Sequence, residues 1–490
     1  MDLLERGPLD LHRNLTAVNR LTRPARTVPN QLGDPDVWRI SSPLQDSPSR
    51  NFSHVTDSWT RWKRYGTCFV AILIVVFRRP KTTERGQVLI FDEIVIGAGL
   101  TALGAVLGLP ANRRVLVIGG PIAGQFVHYD GAKTKVSAYL GHGGLGTYWH
   151  GAIATGGQQY FAGASAEYFD RLVRRFYPNT QISERLGKPW LFVPWRPIRP
   201  KEEWRRMKAE RSDRLVFVHE VVSRFVAGDR DVSVHTAGST FVGKRLWVCA
   251  GALHSPALLD DSLAAPVSRQ FVSDHVFCYL GQIDRARTHV EMPRVLRTRD
   301  GVWFEGRYDD ERRARYTLRP ARFAFTRLDY GIERRGIFGP PTGKSIAKIV
   351  RSISLGLFAE ALYNHFGLFP NARVQSVYAL INVPDAHSFH SSDAQLSARR
   401  DVIQTFVDAV RANPPWRGIQ TSIRPDIFIP STHLHHSVDV GALVGAGVNG
   451  PTSRVQVVDA SVLRDVGPDH HTFKLMVAAF HRAQALCQSE

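Results

Sequence analysis

Histidine is the side chain whose ordinary titration falls nearest neutral pH, and this chain sets it in adjacent pairs in two loop-like stretches. His435 and His436 stand in STHLHHSVDVGALVG, and His470 and His471 stand in DASVLRDVGPDHHTFKLMVAAFHRA, Asp459 to Ala483. Such pairs suit proton transfer at pH 7. They do not suit a metal, because no acidic or cysteine partner sits at ligand spacing. Cys68, Cys249, Cys278 and Cys487 are scattered without a CxxC pair, so neither a zinc site nor a disulfide framework is indicated. The bland alternative is that both pairs are loop surface. Asp469 alone would then matter, as the N-cap of the following helix. The pairs gain a role only if something beside them needs a base.

The elements that would position such a partner begin at FDEIVIGAGLTALGAVLGLPANRRVLVIGG, residues 91–120. Ile94, Val95 and Ile96 form a continuous apolar run, as in a strand buried on both faces. It leads into Gly97, Gly99 and Ala102, and a helix follows through Leu107. Pro110 and Asn112 then turn the chain into a second strand, Val115 to Ile118. In that strand–helix–strand context the pattern predicts a dinucleotide site. Gly97 makes the turn, Gly99 admits a pyrophosphate, and Ala102 allows helix and strand to pack closely. The acidic residue that usually holds the ribose would fall near Gly119, where the chain reads Ile118-Gly119-Gly120.

At 490 residues, two or three domains are expected. The 43% hydrophobic and 22% charged contents are those of a folded protein. The net charge of +19 is spread along the chain, with acids interleaved, and no nucleic-acid motif accompanies it. Residues 1–90 read as a disordered or atypical extension outside the catalytic fold. Its apolar run TCFVAILIVVF, 67–77, is short of the roughly 20 residues that span a bilayer. That run is left as a buried strand, a membrane-surface anchor or sequence before the true start. AKIVRSISLGLFAEALYNHFGLF, 347–369, has helical apolar spacing and reads as a core-facing helix, with a lid or membrane-facing surface as the minority reading.

Four further segments, GGLGTYW (143–149), WVCAGALHSPALL (247–259), SRQFVSDH (268–275) and VVDASV (457–462), in that order after the strand–helix–strand unit, together resemble the glucose–methanol–choline family of FAD-dependent oxidoreductases, nearest to its short, pyranose oxidase-like members. GGLGTYW (143–149) is similar to the flavin loop, and WVCAGALHSPALL (247–259) to the AAGALxSPxLL segment. SRQFVSDH (268–275) resembles GRNLxDH, and VVDASV (457–462) the strand ending in Asp-Ala-Ser beneath the flavin. The resemblance implies an α/β fold: a Rossmann-type FAD-binding domain with an interleaved α+β substrate domain on an antiparallel sheet. The FAD-binding domain would comprise 91–175, 213–280 and 430–490, and the substrate domain 176–212 and 281–429.

It also implies roles. Gly97, Gly99, Ala102, Gly143, Gly144, Thr147, Trp149, Val222, Asp459, Ala460 and His471 would line the cofactor, with His471 mainly as scaffold. Tyr148 stands where some relatives carry a flavin-linked histidine, so the FAD would be non-covalent. His470, eleven residues past Asp459, aligns with the catalytic His or Asn. His435 is the best match for its partner, with His433 and His436 left open because Ser437 and Val438 break the usual Met-Gly. His150, His254 and His275, in cofactor-side segments, read as structural or as packed behind the site, and His387 and His390 as parts of a loop that cannot be placed.

The activity implied is oxidation of an alcohol, with sugar and polyol hydroxyls in view, to a carbonyl by hydride transfer to FAD. Dioxygen or an external carrier would reoxidise it. A lyase with redox-silent FAD and a degenerate non-catalytic flavoprotein are the rivals. The expected location is cytoplasmic, with membrane association weakly indicated.

Overall fold

A computed structural model describes residues 90–119, 151–156, 166–180, 182–288, 291, 293–319, 373–393, 395–416, 418–421, 428–430, 433–464 and 466–488. The strands 127–130 and 133–136 and the single positions 144, 146, 362 and 366–368 are also placed. The extension 1–89 with its apolar run, most of 347–369, and Gly143, Thr147, Tyr148, Trp149 and His150 lie outside the described residues.

The apolar run of the first strand, Ile90–Ile96, is central to a seven-stranded sheet. It pairs in parallel with Val115–Ile118 on one side and Thr240–Val248 on the other, so that Val95 faces Val117 and Trp247. Leu215–Val218 extends the sheet past Val115–Ile118, also in parallel. The strand Thr240–Val248 is shared along its length. Its first half pairs antiparallel with Val232–Thr236, and its end, Leu246 to Val248, pairs in parallel with Val455–Val457.

Alternation along the strands sends successive side chains to opposite faces. Val95, Val117 and Trp247 join one core with the helices, while Ile94, Ile96, Leu116 and Val248 join a second on the other side. On the first face, helix Leu100–Gly108 packs against the C-terminal helix Thr472–Gln488. The approach is close because of two glycines. A Cβ at Gly104 or Gly108 would lie 2.3 Å from the Met476 carbonyl oxygen or 2.4 Å from that of Phe480.

A second seven-stranded sheet is antiparallel, in the order Arg307–Asp309, Ala314–Arg319, Val374–His390, Phe271–Asp284, with short strands attached. Helix Arg400–Ala412 covers it with Ile403, Val407 and Val410, one stripe at helical spacing. The two sheets match the expected fold class, parallel α/β with an antiparallel companion. One expectation needs correction. His387 and His390 belong to no loop; they end the long strand Val374–His390, and His387 is wholly buried. Among the described residues, no helix is long and apolar enough to cross a membrane.

Candidate functional site at the ends of the parallel strands

The glycine turn lies where the first strand ends. Gly97 has φ +101°, a conformation that side chains other than glycine's rarely adopt, and its N–H donates to the Ile118 carbonyl at 2.8 Å. A Cβ there would lie 2.3 Å from the Cys249 carbonyl oxygen. Gly99 is the N-cap of helix Leu100–Gly108 and brings no side chain to its first amides. Ala102 is fully buried, and Trp204 Nε1 donates to the Ala98 carbonyl at 2.9 Å, fixing the turn from the other side. A Cβ on Gly144 would lie 3.6 Å from the Gly99 Cα, so the second glycine segment passes over the first. The turn is therefore a cradle of backbone at a helix N-terminus, a form that suits a pyrophosphate. Val222 opens the strand Val222–Ala227 on the edge of the same sheet.

Asp459 ties this turn to the histidines. Its buried carboxylate accepts from Gly251 N at 2.7 Å, Ser255 Oγ at 2.5 Å, Ser461 N at 2.9 Å and Ser461 Oγ at 2.6 Å. Gly251 opens helix Gly251–Asp260 and follows the Cys249 carbonyl that Gly97 packs against. Ala460 and Ser461 accept in turn from the upstream histidine segment: His436 N to Ala460 O at 3.0 Å and Ser437 N to Ser461 O at 2.9 Å. Residue 435 is pinned on its other side, exchanging both backbone bonds with Ser273 at 3.0 Å. The glycine turn, the helix start, the Asp-Ala-Ser turn and the histidine turn thus form one hydrogen-bonded series.

Five imidazoles meet there. Ring centroids are 5.4 Å apart for His433–His470, His433–His471, His435–His471 and His275–His471; they are 5.5 Å for His275–His433 and 5.7 Å for His275–His435. His275, His435 and His471 are buried, while His433 and His470 are half-buried. Burial, reinforced by neighbouring histidines, holds His275 and His471 well below the usual histidine range, so both are neutral at pH 7. His275 Nε2 donates to the Gly467 carbonyl at 2.9 Å. His435 Nδ1 donates to the His433 carbonyl at 2.9 Å, which leaves Nε2 as its basic nitrogen.

His436 takes no part in the cluster. It sits at φ +57°, turned toward Arg269, whose Nη1 donates to its Nδ1 at 2.8 Å. Burial and that cation lower its pKa to about 4. Among the described residues, no group of histidines, cysteines and carboxylates is arranged to hold a metal ion.

Asp469 does not cap the last helix, which begins at Thr472. Its buried carboxylate accepts from Arg315 Nη1 at 3.1 Å, from the Tyr308 hydroxyl and from the His470 amide at 3.1 Å, with Lys474 Nζ at 3.5 Å. Lys474 also donates to the Gly156 carbonyl. Burial lowers the Lys474 pKa against the pull of Asp469, and burial raises that of Tyr308. Nearby, His387 Nε2 lies 3.2 Å from Asp274 Oδ2, both buried. No motif announced Arg315 or Tyr308 in the sequence, whereas Asp274 is the Asp of the SRQFVSDH segment. For Lys474 there was a signal: a cation flanked by Phe473, Leu475, Met476 and Val477, all buried.

No family model and no curated protein sequence matches the chain. Among solved structures, it is similar to pyridoxine 4-oxidase from Mesorbium loti, with 13% identity, TM-score 0.44, and 80% of this chain and 98% of that one covered. It is also similar to an FAD-dependent oxidoreductase from Chaetomium thermophilum, with 11% identity, TM-score 0.45, and 81% and 99% covered. A third is formate oxidase from Aspergillus oryzae RIB40, with 11% identity, TM-score 0.46, and 82% and 98% covered. The likeness is distant.

Proposed function

We propose that the chain is an FAD-dependent oxidoreductase of the glucose–methanol–choline type that oxidises an alcohol to a carbonyl. The observation that carries this reading is the hydrogen-bonded series that places a pair of half-buried histidines, His433 and His470, beyond a dinucleotide-type glycine cradle. The cradle fits the cofactor, since bare backbone and a helix N-terminus are what a pyrophosphate needs. Amides near Gly97 and Gly99 would hold the phosphates, and Val222 would meet the adenine through its backbone. Gly143, Gly144, Thr147 and Trp149 would line one side of the ring system, with Ala460 on the other. Asp459 would act by holding the Gly251 helix start and the Asp-Ala-Ser turn, because all its hydrogen bonds above go to protein.

Bound FAD supplies a hydride acceptor for the alcohol carbon. What remains for the protein is the hydroxyl proton. We place its acceptor on His433, with His435 as the closest alternative, because His433 pairs with His470 and is less deeply buried. His470 would donate a hydrogen bond to the substrate oxygen, and His471 and His275, neutral and buried, would keep the pair in register. Tyr148 offers no imidazole for a covalent link, so the FAD would be non-covalent, reoxidised by dioxygen or an external carrier.

In the test, His470→Ala retains FAD and loses turnover by about 10²–10⁴-fold, the usual worth of positioned proton transfer. Normal turnover in that variant refutes the assignment.

A further inference from the structure

A parallel sheet of this kind takes its ligand at the C-terminal ends of its strands. Among the described residues, two carboxylates stand within two positions of those ends: Asp459 after Val455–Val457 and Glu220 after Leu215–Val218. Past the other three parallel strands come Gly97 and Ala98, Gly119, and Cys249 and Ala250. Asp459 fills both oxygens with protein donors. Glu220 is the acid that remains.

Packing explains why no acid stands at the end of Val115–Ile118. A Cβ on Gly119 would lie 3.2 Å from the Ala98 Cβ, so a side chain there would press on the glycine turn. The neighbouring strand reaches the same edge. Gly119 N donates to the Val218 carbonyl at 2.9 Å, and His219, Glu220 and Val221 alone separate Val218 from Val222. Glu220 therefore stands on the short stretch between the turn and the residue assigned above to the adenine. In a dinucleotide the ribose lies between the pyrophosphate and the adenine.

The carboxylate is also held in place. Thr236 Oγ1 accepts from Ser239 N at 3.0 Å and donates to Glu220 Oε2, and Thr236 pairs with Val222 between neighbouring strands. Among the described residues that is the one hydrogen bond Glu220 accepts, and the side chain is half-buried. An ionised carboxylate offers about four acceptor positions, so one donor leaves room for two vicinal hydroxyls.

We propose that Glu220 accepts hydrogen bonds from the adenosine ribose hydroxyls of FAD, in place of an acid at the end of Val115–Ile118. This rests on the oxidoreductase reading and concerns how this chain holds the cofactor.

The test is the affinity of the full chain, stripped of flavin, for FAD and for an analogue whose adenosine carries 2′,3′-dideoxyribose, read by flavin fluorescence. The wild type should bind FAD about 10- to 100-fold more tightly than the analogue, the worth of hydrogen bonds to a charged group. Glu220→Ala should weaken FAD by a similar factor and barely change the analogue, so that the gap between the two ligands closes. Glu220→Asp keeps the charge, withdraws it by one methylene, and should narrow the gap. No gap in the wild type, or a gap that persists undiminished in both variants, overturns the assignment, while FAD bound tightly leaves the oxidoreductase reading standing. A wild type that binds neither ligand sinks that reading and the ribose contact with it.

Discussion

At the scale of single residues, the site turns on which upstream histidine faces His470. In extended backbone, residues two apart share a side. His433 and His435 accordingly both enter the cluster, while His436, at φ +57°, turns to Arg269. His433→Gln should therefore retain FAD and lower kcat by about 10²–10⁴-fold. His436→Asn, which tolerates a left-handed backbone, should leave kcat within a few-fold and cost about 1 kcal/mol or less. Anaerobic reduction rates and urea midpoints check both, and the reverse ranking would contradict the placement. His470 was legible from its distance to Asp459. For the upstream partner the sequence put His435 first and left His433 and His436 open, three histidines within four residues. Backbone handedness sets His436 apart from the other two, and one sequence does not display it. His275 was legible as a structural residue or one packed behind the site, from its place in SRQFVSDH, but its meeting with His433 and His435 was not, because it lies far upstream of them. The pairing of Ser273 with His435 at the sheet end brings it in.

At the scale of elements, two joints hold the site in place. Helix Leu100–Gly108 meets the last helix through Gly104, where an added Cβ would lie 2.3 Å from the Met476 carbonyl oxygen. Gly104→Ala should cost about 1–3 kcal/mol by overpacking, read as a lower urea midpoint. It should also slow turnover, because the displaced helix begins directly after His471. An unchanged midpoint would mean that the helices are not locked there. The second joint is Asp459. Asp459→Asn cannot accept from four donors at two oxygens, and should lower stability by about 2 kcal/mol together with FAD content. The strand–turn–helix carrying Gly97 was legible because its signals are local. The Asp469–Arg315–Lys474 cluster was not, because its members come from separate elements and meet only after folding.

At the scale of the whole molecule, the buried histidines set an acid limit on the fold. The pKa values of His275, His471 and His436 are lowered in the folded chain, the last to about 4, whereas the unfolded chain binds their protons from about 6.5 downward. Unfolded chain thus gains protons that the folded chain refuses. Stability from these groups is intact above about pH 6.5 and falls as the pH drops toward 4. Urea midpoints that stay flat between those values would contradict their burial as neutral rings. The two-sheet architecture was legible in outline, since continuous apolar runs marked the parallel strands. The antiparallel sheet was anticipated only from the family resemblance, because its long strands carry no motif, and His387 was misplaced for that reason. The central claim is that the histidine pair works beside a bound flavin on an alcohol. Its most direct measurement is the visible absorbance of the purified protein during anaerobic titration with alcohols. A yellow protein whose flavin band bleaches with an alcohol is the expected result. A colourless protein that cannot be reconstituted with FAD, or a flavin that no alcohol reduces, would contradict it.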